Sequence, residues 1–88
     1  MAMGSIEYKE LIYEFGRDIS KIADDLYEAS SEEIPASKRK AIVAAGQKKV
    51  RDYELMLTKL EGARRSEAEQ EFADAVEELR SYLRTLAK

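Results

Sequence analysis

Eighteen aspartates and glutamates and fifteen lysines and arginines, with no histidine and no cysteine, bound the chemistry open to this 88-residue chain. Without thiols there is no thiolate nucleophile, no disulfide scaffold and no cysteine-based zinc site. Without imidazole the commonest general base, the usual metal ligand and the side chain that titrates near neutral pH are missing together. Carboxylates remain. Glu67 with Glu71 and Asp74 with Glu78 stand four residues apart, one helical turn, where two carboxylates can in principle hold a hard cation. A di-iron bundle also requires Glu-x-x-His motifs, and no EF-hand loop spacing occurs, so these pairs read as a solvated helix face. Serine, lysine and tyrosine complete the reactive set, and none has an activating partner in a recognisable pattern. The expectation is a chain without catalysis, cofactor or metal.

Side chains suited to recognition are more informative. Tyr13 and Tyr27 lie two heptads apart and outside the main apolar seam, with Gly16, Ser20 and Asp24 between them on the same side. Small residues flanked by tyrosines make a shallow trough into which a partner helix can settle, tyrosine supplying rigid amphipathic contact. Lys38, Arg39, Lys40, Lys48, Lys49 and Arg51 give the following segment a basic side, with Arg64 and Arg65 beyond its end. Such a patch suits nucleic acid or anionic lipid. A pI near 5.1, no glycine-rich phosphate loop and no interleaved aromatics weigh against both.

Three helices are expected to carry these residues. Tyr8, Ile12, Phe15, Ile19, Ile22, Leu26 and Ala29 recur alternately four and three apart, with Leu11 and Ala23 widening the stripe, which predicts a helix over 6–31. Ile34 precedes Pro35 and is pushed out of the helical region, so 32–36 reads as a connection. Pro35 or Ser37 can open a second helix over 36–61, with a seam of Val43, Gly46, Val50, Tyr53, Leu57 and Leu60 flanked by Ile42 and Met56. Gly62 stands where a left-handed cap would end it, and Ser66 with Glu69 forms a capping-box pattern ahead of a third helix over 66–87. That helix carries Phe72, Val76, Leu79, Leu83 and Leu86, with Ala68, Ala75 and Tyr82 beside the seam.

Short connections make successive helices antiparallel, giving an all-α, antiparallel three-helix bundle. A rival arrangement runs the second and third helices together through Gly62 as one rod. Charge favours the bundle: residues 6–33 hold nine acidic and three basic side chains, residues 34–61 three acidic and seven basic. Asp24, Asp25, Glu28, Glu32 and Glu33 crowd the end of the first helix, and Lys38, Arg39 and Lys40 the start of the second. Both placements oppose the helix dipole by a few tenths to about 1 kcal/mol per charge, and a hairpin lets each cluster offset the other. Gly46, in mid-helix, costs about 1 kcal/mol relative to alanine. Layer counting puts Ile19, Ile22, Tyr82 and Leu83 around it, which explains glycine there as room for a bulky neighbour.

Met1 to Ser5 show no hydrophobic period and read as an unstructured vector remnant, which leaves one domain over 6–88. With Tyr8 opening the first helix and Asp52, Glu54, Leu57, Leu60 and Glu61 closing the second, the layout resembles the N-terminal three-helix domain of Vti-type SNARE proteins over most of the chain. That resemblance implies an adaptor-binding module; bacterial secretion chaperones and small phage or stress proteins share the same heptad pattern. The expected function is a non-catalytic, cytoplasmic interaction module that docks a partner helix, as a monomer or homodimer and without membrane insertion. The alternatives are a structural homo-oligomer of hairpins or long rods and a weak nucleic-acid binder using Lys38, Arg39, Lys40, Lys48 and Arg51.

Overall fold

The apolar spacing between Tyr8 and Ala29 closes into one unbroken helix. The computed structural model describes residues 4–86 and contains α1 (Ser5–Ser31), α2 (Ala36–Lys59) and α3 (Gly62–Leu86). Gly4 is extended and its carbonyl accepts the Tyr8 N–H at 2.9 Å, so α1 takes in Ser5, one residue ahead of the expected start. Met1 to Met3 of the expected remnant, and Ala87 of the third helix, lie outside the described residues. At the far end the Glu32 N–H bonds to the Glu28 carbonyl at 2.9 Å, Glu32 itself is extended, and Ile34 lies outside the helices ahead of Pro35. Pro35, not Ser37, precedes α2, and its carbonyl receives the Arg39 N–H at 3.0 Å.

The turn between α2 and α3 is tighter than the sequence reading gives. Only Leu60 and Glu61 separate the helices, and Gly62 begins α3 with φ at +58°, a left-handed conformation natural to glycine. Ser66 and Glu69 therefore lie inside α3 and form no capping box. Glu69 is engaged elsewhere, accepting from Arg65 Nε at 3.2 Å one turn earlier. Four more residues gain helical hydrogen bonds when the reversal happens at Gly62, and the glycine makes that early reversal free of steric cost.

Contacts across the helices fix the topology. Lys49 pairs with Asp18, and Phe15 meets Tyr53, so α1 and α2 run antiparallel; Arg80 reaches Glu54 and Leu83 lies against Gly46, so α2 and α3 do as well. Phe15 against Phe72 and Tyr27 against Tyr82 show α1 and α3 parallel. The molecule measures 45 × 19 × 17 Å. A continuous helix over α2 and α3 would exceed 70 Å at about 1.5 Å per residue, so the rod is not this fold.

Phe15, Ile19, Leu26 and Ala29 of α1, Tyr53 and Met56 of α2, Leu60 of the turn, and Ala68, Phe72, Val76 and Leu79 of α3 form the buried core. On α2 the seam departs from expectation: Met56 is buried, whereas Val43, Val50 and Leu57 are half-buried. A straight helix repeats every 3.6 residues, so a stripe counted at 3.5 drifts across the surface along its length. Gly46 is buried as expected, but its close neighbours are Leu83 and Leu26, not Ile19 and Ile22. A Cβ built there would stand 3.1 Å from a Leu83 methyl and 3.2 Å from a Leu26 methyl. The acidic and basic clusters around the α1–α2 turn form no ion pair within 4.0 Å among the described residues, so their mutual attraction is longer-ranged than side-chain contact.

Tyr8 clasps the starts of α1 and α3 together. Its hydroxyl donates to Glu67 Oε2 at 3.0 Å, and the Arg64 guanidinium lies 4.8 Å from its ring centre. Burial and the Glu67 carboxylate raise its pKa above 10.0; burial and Glu69 do the same to Tyr53, and burial and Glu78 to Tyr82. Because the folded values exceed the unfolded ones, this stabilisation is complete below about pH 10 and is lost as pH rises through the folded values. The urea midpoint should hold steady from neutrality to about pH 9 and fall beyond pH 10. A midpoint unchanged across that alkaline range would mean the three phenols are not held protonated by the fold.

Candidate partner-docking face

Among the described residues, four large hydrophobic side chains stay well exposed once the core is closed: Ile6 at 75%, Tyr13 at 69%, Tyr27 at 60% and Leu55 at 57%. Leu55 is isolated on α2, in the shallow groove toward α1 that Leu11, Glu14 and Lys59 also line. The other three share a single stripe. Positions 6, 13, 20 and 27 are seven apart, so Ile6, Tyr13, Ser20 and Tyr27 form a stripe on α1 that slews by about 20° per heptad and comes up against α3 at its Tyr27 end. Tyr13, Ser20 and Tyr27 are residues expected from sequence; Ile6 completes the line and was hidden because its neighbours in sequence carry no apolar period.

The stripe meets α3 at Tyr27, while toward the start of the helices the α1–α3 groove is lined from α1 by Tyr8, Lys9 and Ile12. Gly16 is half-buried beside the stripe, and a Cβ there would lie 3.5 Å from the Phe72 ring, an ordinary contact distance that shows the ring lying beneath this turn of α1. Tyr27 stands edge-on to Tyr82 with ring centres 6.5 Å apart. The trough is therefore a furrow between two parallel helices, floored near Gly16 by Phe72 and walled at one end by the Tyr27–Tyr82 pair, and not a feature of α1 alone. Half-buried Ala75 belongs to the α3 side of the same furrow.

Charge is sorted about this face. On α3, Arg65 binds Glu69, while Arg80 and Arg84 bind Glu77, and Arg80 also reaches Glu54 of α2. Glu67, Glu71, Asp74 and Glu78, at spacings of four, three and four, form the other acidic line of α3. None of these four joins an ion pair within 4.0 Å among the described residues. Glu67 and Glu71 act electrostatically on Tyr8 of α1, and Glu78 on Tyr82, the partner of Tyr27, which places these three carboxylates on the α1 side of α3. No group of three or more carboxylates among the described residues is disposed to hold a metal ion.

The basic residues of α2 do not gather into one patch. Lys48 pairs with Asp52 at 3.8 Å and lines the α1–α2 groove with Lys21 and Asp25. Lys49 is sequestered: its side chain is 13% exposed, its ammonium lies 3.6 Å from Asp18 and 3.8 Å from Asp52, and it sits 5.0 Å above the Phe15 ring. Arg39 is half-buried, with Nε enclosed and unpaired. Lys40 and Arg51 share helical register with Gln47 and Glu54, on the side of α2 that meets α3. Lys38 is exposed near the turn. A polyanion following this helix would meet separated cations interrupted by carboxylates.

Comparison with protein families, curated proteins and solved structures yields no match to this chain. Among the described residues no helix is long and apolar enough to cross a membrane.

Proposed function

We propose that the protein is a non-catalytic interaction module that docks a partner helix into the furrow between α1 and α3. One observation carries this reading: three of the four well-exposed large hydrophobics among the described residues, Ile6, Tyr13 and Tyr27, fall at heptad spacing on one stripe of α1 that reaches α3 at Tyr27. Scattered exposed hydrophobics are ordinary, whereas a line of them at helical register beside a shallow furrow is the complement of another helix's apolar stripe. A helix seated between the parallel α1 and α3 and antiparallel to both would complete a four-helix bundle. The line from Ile6 to Tyr27 spans roughly 32 Å at 1.5 Å per residue, so the occupant needs about six turns.

The test uses a synthetic helical peptide of about that length, with leucine at heptad core positions and glutamine elsewhere, titrated into the isotope-labelled chain. Shifts should map to residues of α1 and α3 around the furrow. Changing Tyr13→Ala and Tyr27→Ala together should weaken binding at least tenfold, as expected for tyrosine anchors, while helical circular dichroism is retained. Shifts centred on the α1–α2 groove, or affinity unchanged in the double variant, would reject this face.

A further inference from the structure

We infer that the occupant of this furrow is a basic amphipathic helix, its lysines or arginines set against Glu71, Asp74 and Glu78. The inference rests on the docking reading above and specifies the partner's chemistry. The ion-paired carboxylates of α3 among the described residues, Glu69 and Glu77, are matched by Arg65, Arg80 and Arg84 of the same helix, while Glu67, Glu71, Asp74 and Glu78 have no cation within 4.0 Å among the described residues. From α1, exposed Asp24, one turn before Tyr27, adds negative charge and forms no ion pair within 4.0 Å among the described residues. Lys9 and Arg64 stand at the Tyr8 end and exposed Arg17 one turn beyond Tyr13, so the acidic excess is confined to the end at Tyr27 and Tyr82. Like charges repel at close range in an interface, and opposite charges steer encounter and fix register. A second copy seated furrow to furrow would oppose acid to acid, which disfavours a symmetric dimer through this surface. A partner with an apolar stripe for Ile6, Tyr13 and Tyr27 and cations on one flank satisfies both features.

Three peptides on the leucine template, carrying lysine, glutamine or glutamate on the flank that meets α3, distinguish the outcomes by fluorescence anisotropy against the intact chain. The lysine peptide should bind about tenfold tighter than the glutamine peptide, as three exposed pairs allow, and the glutamate peptide weakest. The lysine advantage should vanish in about 1 M salt, where the screening length is only ~3 Å. It should also vanish in the variant Glu71→Gln, Asp74→Asn, Glu78→Gln, but persist in Glu54→Gln, on α2. Equal affinity for all three peptides, lost with Tyr13→Ala and Tyr27→Ala, would overturn the charge assignment and leave the docking face standing. Lysine-peptide binding that ignores the tyrosine changes would overturn the docking face itself. Concentration-dependent dimer formation abolished by the triple variant would replace the basic partner with a second copy of this chain.

Discussion

Replacing Phe72 with alanine should lower the unfolding free energy by about 3 to 5 kcal/mol, enough to threaten the fold of an 88-residue domain. Phe72 is 4% exposed, packs edge-on against Phe15 with ring centres 4.8 Å apart, and lies beneath Gly16. Truncation removes that aromatic pair and opens a cavity lined by both outer helices, which cannot collapse without shifting α1 relative to α3. Phe72→Leu keeps most of the volume and should cost about 1 to 2 kcal/mol less than the alanine change. Denaturant unfolding followed by circular dichroism measures both. A loss below about 1 kcal/mol for Phe72→Ala would mean the α1–α3 contact is looser than described.

The second large effect belongs to Gly46. Adding a methyl group there gains about 1 kcal/mol of helix propensity but presses on Leu83 and Leu26 at 3.1 and 3.2 Å. Leu26 is fully buried and has nowhere to go; half-buried Leu83 can swing outward. Gly46→Ala should therefore change stability by no more than about 1 kcal/mol. Gly46→Val adds two further methyls to the same contact with little propensity gain, and overpacking of this kind costs about 1 to 3 kcal/mol. For a domain of this size that corresponds to a fall in melting temperature on the order of 10 °C. A valine variant as stable as the parent would show that the slot between Leu26 and Leu83 is empty space and not a fitted contact.

Much of this was legible in the residues themselves. The four-and-three spacing of Tyr8 to Ala29 needs no tertiary information to predict a helix with one buried stripe, and Pro35 after Ile34 marks the first turn unaided. Gly46 stood out because glycine in mid-helix requires a compensating contact. Periodicity specifies which side faces inward; it does not say which flank meets which neighbour. For that reason Gly16 reads as open floor until Phe72 of α3 is seen beneath it, and Lys48, Lys40 and Arg51 read as one basic side until α1 and α3 are placed on opposite sides of α2. The capping pattern at Ser66 misled because local propensity at a helix start is worth about 1 kcal/mol, comparable to a few added helical residues, and Gly62 offered an earlier reversal. Ile6 escaped notice since a single apolar residue carries no period of its own.

The parallel alignment of α1 and α3 has a kinetic consequence. Connections of four and two residues let α1 with α2, and α2 with α3, associate as local hairpins, which helical bundles do in microseconds to milliseconds. The α1–α3 contact has no such shortcut, because the whole of α2 separates the two helices in sequence. Its furrow is complete only when all three helices are in place, so a ligand that recognises it reads out completion of the whole fold, ignoring chains that have closed one hairpin but not the other.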